Sequence, residues 1–334
     1  MKKTYYLFNP GRLSRKDNTL KFEPKDEDGN PGKPRFIPVE NVGDLYVFGS
    51  LDANSEMYNF LAKNGIAAHF FDYYEHYTGS FMPKDYLNAG QMVVKQSLKY
   101  HKKKDRIFLA RQFVDAAAFN MLKNLRYYQN RGKEVTRFIE EIESYNPQIE
   151  EASDVQELMG IEGNIRQLYY QSFDEIMQNF SLEGRSKQPP ENELNALISF
   201  GNMMCYTTCL GQIYHTQLNP TVSFLHEPGY RRYSLALDIA ELFKPLLVDR
   251  TIFRMVNKGE IKEKDFDKST NYCTLKGSGK KNFVRVFEER LQETIQHRSL
   301  NKKVSYKHLI RLECYKLAKH VLDIEEYKPL KFWW

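Results

Sequence analysis

Cysteine is scarce, four in 334 residues, and its placement excludes two kinds of scaffold. Cys205 and Cys209 sit four apart in the apolar stretch MMCYTTCLGQI, while Cys273 and Cys314 are isolated. A structural zinc site needs a second paired cluster, which is missing. The thiols read instead as free, buried groups of a reducing compartment. Long hydrophobic runs are also lacking: no stretch of 18 apolar residues offers a membrane span. The opening MKKTYYLFNPGR has two lysines but no apolar segment of a signal peptide. These absences lead to the expectation of a soluble, cytoplasmic protein. Seven of the eight histidines (69, 76, 101, 215, 297, 308 and 320) fall in no ligand spacing. KGSGKKNFVR at 276–285 does not have P-loop spacing, so nothing suggests ATP use.

Charge, by contrast, is plentiful and unevenly spread. The formal net charge is +6, yet residues 134–162 hold nine acids against one base, and residues 276–320 hold twelve bases against four acids. The acidic run reads as a solvated helix face and loop. The basic tract lies on predicted helices with Phe283, Phe287, Tyr306 and Tyr315 interleaved, and suits phosphate-backbone contact. Lys276, Lys280, Lys281 and Arg285 lead it, with Gly277, Ser278 and Gly279 permitting close approach. A solubilising surface would have the same composition.

The pattern of the chain is bipartite and belongs to the α+β class. The segments TYYLFN, DLYVFG, IAAHFFD and HYTGSF give a small N-terminal β-rich domain over residues 1–83, punctuated by turn signals at Asn9-Pro10, Asp28-Gly29-Asn30 and Gly32. Met57, Phe60 and Leu61 mark a short helix over 55–63, and the polar insert KFEPKDEDGNPGKPRF forms a hairpin or a loop. Residues 84–334 read as a larger all-α domain. The strands at 45–48 and 66–71 are apolar enough to need burial, in a core or an interface. The terminal PLKFWW is expected either to dock on its own domain or to meet a partner.

The chemistry concentrates in FLHEPGYRRYSLALDIAELFKP, residues 224–245. Leu235, Ile239, Leu242, Phe243 and Leu246 repeat at helical spacing, Asp238 and Glu241 share one face, and Pro245 ends or kinks the helix. His226 precedes it in a turn with Pro228 and Gly229. Upstream, Glu162 lies between Gly160 and Gly163 in LMGIEGN, each glycine costing a helix about 1 kcal/mol relative to alanine. One imidazole and two or three carboxylates suit a hard or borderline divalent cation. Two plainer readings remain open at this level. Asp238 and Glu241 can form a solvated pair, and the glycines can form a packing notch with Glu162 bound to Arg166 at i,i+4.

Several motifs then occur in a familiar order: LMGIEGNIRQLYY, GRSKQPPENELNALISFG at 184–201, and LNPTVSFLHEPGYRRYSLALDIAELFKPLLVDR at 218–250. With IPVENVGDLYVFGSLDANSEMYNFLAKNGIAAHFFDYYEHYTGSF before them and HRSLNKKVSYKHLIRLECYKLAKHVL after, the chain resembles the CRISPR-associated Cas-one family over nearly its whole length. The resemblance implies a metal-dependent integrase and endonuclease of spacer acquisition. It implies that Glu162, His226 and Glu241 hold Mg²⁺ or Mn²⁺ and act in catalysis, with Asp238 behind them; many members carry Asp at the position of Glu241. It implies attack by the 3′-hydroxyl of a short DNA duplex on the leader-proximal repeat, with no covalent enzyme intermediate. A homodimer formed through the N-terminal domain and a small ferredoxin-like companion are the implied partners, beside double-stranded DNA. Arg231, Arg232 and Lys244 are further candidate DNA contacts. The alternatives are a non-catalytic DNA-binding scaffold and a structure-specific nuclease on branched DNA.

Overall fold

Alternating apolar and polar residues in GRLSRK and TLKFEP build a hairpin, and this hairpin begins the second of two four-stranded sheets. The computed structural model describes residues 2–26, 28–72, 74–83, 89–178, 180–186, 189–230, 232–269 and 272–333. Within the first unit, residues 1–88, one sheet runs β1 (Lys3–Leu7), β5 (Val42–Val47), β7 (Ala67–Phe71) and β8 (Tyr77–Phe81) in spatial order. Its first three strands are parallel and β8 is antiparallel to β7. The other runs β4 (Arg35–Pro38), β3 (Thr19–Pro24), β2 (Gly11–Lys16) and β6 (Leu51–Asp52). The helix α1 (Ser55–Lys63) starts at Asn54, whose side chain accepts the Met57 N–H. Leu13, Leu20 and Phe22 meet Leu45, Val47 and Ala68 and the Met57, Phe60 and Leu61 face of α1 in one core. The polar insert proves to be a hairpin: its ends supply β3 and β4, and Gly29 (φ 82°) turns its tip.

The second unit, residues 89–334, is predominantly helical. The division expected after residue 83 abuts residues 84–88, which lie outside the described residues. Helices α2 (Gly90–His101), α3 (Lys103–Gln129), α4 (Thr136–Glu143), α5 (Asn146–Glu151), α6 (Val155–Gln171) and α7 (Phe173–Ile176) come first. Then follow α8 (Glu193–Tyr214), α9 (Ser234–Lys244), α10 (Arg250–Asn257), α11 (Gly277–Gln292) and α12 (Tyr306–Val321). Two short hairpins also appear, β9 (Phe266–Ser269) with β10 (Tyr272–Leu275) and β11 (Thr294–Gln296) with β12 (Lys303–Ser305). Among the described residues no helix is long and apolar enough to cross a membrane.

Helix α9 lies at the centre, packed on α3, α8 and α12. Pro245 ends its α-helical hydrogen bonding, as expected, but the chain continues through a wide π turn, Pro245–Asp249, into α10. Proline has no N–H to give the preceding turn. Carbonyls near the break are met from α3: Asn120 Nδ2 donates to Leu242 O at 3.1 Å and Asn124 Nδ2 to Pro245 O at 2.8 Å. Asn120 also ties down the C-terminal tail, donating to Leu330 O at 3.0 Å and accepting from the Phe332 N–H at 2.9 Å. The tail therefore docks on its own unit. The four cysteines are free and buried.

Candidate functional site

Asp238 lies in the second turn of α9 and is 0 % exposed, so it is not half of a solvated pair. Its carboxylate accepts the backbone N–H groups of Phe224 (2.7 Å), Leu225 (3.1 Å) and His226 (2.9 Å). It also meets His226 Nδ1 at 2.9 Å. One buried carboxylate thus folds the 224–226 segment over the helix and orients the ring. With Nδ1–H donating to Asp238, neutral His226 keeps its lone pair on Nε2, which faces Glu241 Oε1 at 3.9 Å. Burial alone would push the imidazole pKa down, but the Asp238 hydrogen bond and the charges of Asp238 and Glu241 outweigh it and raise it.

The same segment is braced from α2 and α3. Gln96 Nε2 donates to Asn219 O (2.9 Å) and Val222 O (2.6 Å), and its Oε1 accepts the Asn219 N–H (3.0 Å). Arg106 donates to Phe224 O at 3.2 Å and pairs with Glu227 at 2.5 Å, while Tyr100 donates its hydroxyl to Glu227. The sequence reading missed these three residues. Their only local mark is that polar Gln96 falls on the buried side of α2.

Glu241 is 4 % exposed and takes two cations, Lys244 at 2.6 Å and the Arg166 guanidinium. Arg166 reaches from α6, where its Nε also donates to Glu162 Oε1 at 2.6 Å. The i,i+4 pair of Glu162 and Arg166 therefore exists, but it extends 75 residues along the chain to Glu241. Burial would raise the Glu241 pKa, but the charges of Arg166, Lys244 and His226 prevail and bring it down to about 2. Lys244 is thus part of the site itself rather than a surface cation.

The donor chemistry fits a divalent cation: one imidazole nitrogen with an open lone pair, opposite a carboxylate held ionised, with a second carboxylate on α6. The three are not gathered around one point. Among the described residues no group of three His, Cys, Asp or Glu side chains stands close enough to hold a metal. Arg166 and Lys244 occupy the carboxylates, and binding requires them to yield.

Gly160 and Gly163 do not form a packing notch. A Cβ on either would meet no neighbouring atom within 4 Å, and both are exposed beside Glu162. A cleft of about 800 Å³ opens beside His226, lined among others by Arg106, Asp154, Met159, Glu227 and Arg232. Arg232 is exposed and donates to Glu227 O, whereas Arg231 lies outside the described residues. In the basic tract, Lys276 and Lys281 are exposed and Lys280 is half-buried. Arg285 is exposed but paired with Glu289 at 2.5 Å and Glu260 at 3.6 Å. Gly279 serves packing rather than ligand approach, since a Cβ there would sit 2.7 Å from Asp265 O.

The family profile described as "CRISPR associated protein Cas1" matches residues 5–289. The CRISPR-associated endonuclease Cas1 of Fusobacterium nucleatum subsp. nucleatum is 47% identical over 336 residues, covering 100% of this chain and 98% of its own. A solved Cas1 protein from Thermotoga maritima superposes with a TM-score of 0.84 at 41% identity, over 97% of this chain and 98% of that one. A casposase bound to integration product superposes at 0.86 with 19% identity, over 99% and 94%, a likeness of fold alone.

Proposed function

The chain belongs to the CRISPR-associated Cas1 family, and we propose that it joins 3′-hydroxyl ends of short duplex DNA to the leader-proximal repeat of a CRISPR array. The reaction is a transesterification dependent on Mg²⁺ or Mn²⁺, with Glu162, His226 and Glu241 as the ligands. Hydrolysis at the same site makes it an endonuclease, the activity named for the Fusobacterium relative. The observation that carries this reading is His226. A fully buried Asp238 holds its Nδ1 and leaves Nε2 directed at Glu241. A bound cation stabilises the charge that builds on the phosphate oxygens and activates the attacking hydroxyl.

The chain's own groups divide the remaining work. Asp238 fixes the tautomer and the position of His226, and Glu241 stays ionised, so no proton competes for its oxygens at neutral pH. With Arg106 already paired to Glu227, Lys103 and Arg232 give the adjoining cleft positive charge for a DNA backbone. A homodimer and a small ferredoxin-like companion complete the assembly that holds both ends of the duplex. The scaffold reading draws on one observation: Arg166 and Lys244 satisfy Glu241 without any metal.

Strand transfer decides between them. The protein and its companion are mixed with a duplex bearing free 3′-hydroxyls and a supercoiled leader-repeat plasmid in Mn²⁺ or Mg²⁺. Joining at the repeat, lost in EDTA and in Glu162→Ala and His226→Ala, is the expected result. DNA binding without joining in either metal would favour the scaffold, and joining spread over generic branched DNA would favour a structure-specific nuclease.

A further inference from the structure

Behind the ligand carboxylates lies a second, unexplained acid. Asp249 closes the π turn after α9, is 0 % exposed, and neither carboxylate oxygen has an ion-pair partner among the described residues. An ionised carboxylate in that position is costly unless a cation stands ready for it. The neighbouring Tyr169 hydroxyl, which accepts from Asn124 Nδ2 at 2.8 Å, interacts with the carboxylate but is neutral and cannot balance its charge. Burial pushes the Asp249 pKa up to about 7, and the charge that most opposes this is Arg166.

Arg166 shows the complementary deficiency. Its Nε and Nη2 are spent on Glu162 and Glu241, but Nη1 is buried with no acceptor. Tyr169, one turn after Arg166 on α6, is the residue whose hydroxyl interacts with Asp249, so the unpaired donor and the buried acid lie on neighbouring elements. π turns frequently mark functional positions, and this one places the acid behind the reaction centre.

We propose that Asp249 is the second seat of Arg166: when a divalent cation takes Glu162 and Glu241, the guanidinium turns to the Asp249 carboxylate. Asp249 is then a positioning residue that acts through Arg166. The inference rests on the metal reading above. It explains how the carboxylates are released without leaving a buried arginine unpaired, and why an acid with no ion pair is kept in the core.

Mn²⁺ binding to the metal-free full-length protein, followed by titration calorimetry, tests the idea without any turnover. Asp249→Asn should weaken Mn²⁺ roughly tenfold, in the range of other groups that support metal ligands. The same change made on Arg166→Gln should alter affinity by less than about twofold, because the residue that needs the seat is gone. Should Arg166→Gln fail to fold, Arg166→Lys, which keeps the charge but not the forked head, serves as the second background. The melting temperature of metal-free Asp249→Asn should equal or exceed that of the wild type, since the amide removes a buried charge and keeps an oxygen that can accept from Tyr169. Equal losses in both backgrounds, or no loss at all, would overturn the seat. A wild type that binds no Mn²⁺, or binds it equally after His226→Ala, would overturn the metal reading and this inference with it.

Discussion

Individual side chains at this site differ in what their loss removes. Asp238→Ala strands three backbone N–H groups in the core, each worth about 1–3 kcal/mol when left unmet. Urea denaturation should therefore show a loss of several kcal/mol, against less than about 2 kcal/mol for His226→Ala, whose ring is 18 % exposed. Equal losses would mean that the 224–226 segment does not depend on the carboxylate. Asp249 predicts a pH effect of the opposite kind to that of a salt-bridged acid. Its folded pKa is raised from 3.8 to about 7, so the folded state holds the proton longer than the unfolded one. The stability it contributes is full below about pH 4 and is lost as pH rises through about 7. Comparing urea midpoints at pH 5 and pH 8, Asp249→Asn should gain on the wild type at the higher pH, and parallel profiles would refute the assignment. His226, Asp238 and Glu241 were legible in the sequence because a turn and one helical repeat determine their spacing. Arg166 was legible only as a neighbour of Glu162, since its reach to Glu241 is a tertiary fact. Asp249 carried no signal, being one polar residue at the end of an apolar run.

Elements show the same division between local and distant causes. Helix α9 and its end at Pro245 follow from periodicity and from proline's missing N–H, but the π turn depends on Asn120 and Asn124 of α3. The strand β2 was hidden because its outward-facing residues, Arg12 and Lys16 among them, are charged and leave no apolar run to mark it. Helix α6 is the informative case. Its two glycines lower helix stability and fill no packing need, so a cost borne by the fold remains unexplained by the fold. Gly160→Ala and Gly163→Ala should each raise stability by roughly 0.5–1 kcal/mol, since their backbone is helical and a methyl group meets nothing. Thermal melting checks that. If DNA docks on this face, strand joining should fall in the same variants whose melting temperature rises. Joining that rises or holds would leave the glycines without a role in DNA approach.

At the scale of the molecule the question is which of the many basic residues meet DNA. Sequence composition located a tract, but only the tertiary arrangement separates charges already spent from those still available. Arg285 is held by Glu289 and Glu260, and Lys244 by Glu241 inside the site. Lys276 and Lys281 are exposed, and neither pairs with a carboxylate among the described residues. Each phosphate neutralised by a lysine releases counterions, and the slope of log K against log salt changes by about 0.9 per contact on duplex DNA. The slope for a non-cognate duplex, measured by fluorescence anisotropy, should fall by about one for Lys276→Ala or Lys281→Ala and hardly change for Arg285→Ala. Glu162→Ala should leave that slope as in the wild type, because an anionic carboxylate held by Arg166 neutralises no phosphate. A large change for Arg285→Ala, with none for the two lysines, would mean that its pairing with Glu289 and Glu260 does not keep Arg285 from DNA and that exposed, unpaired charge is not what selects the contacts.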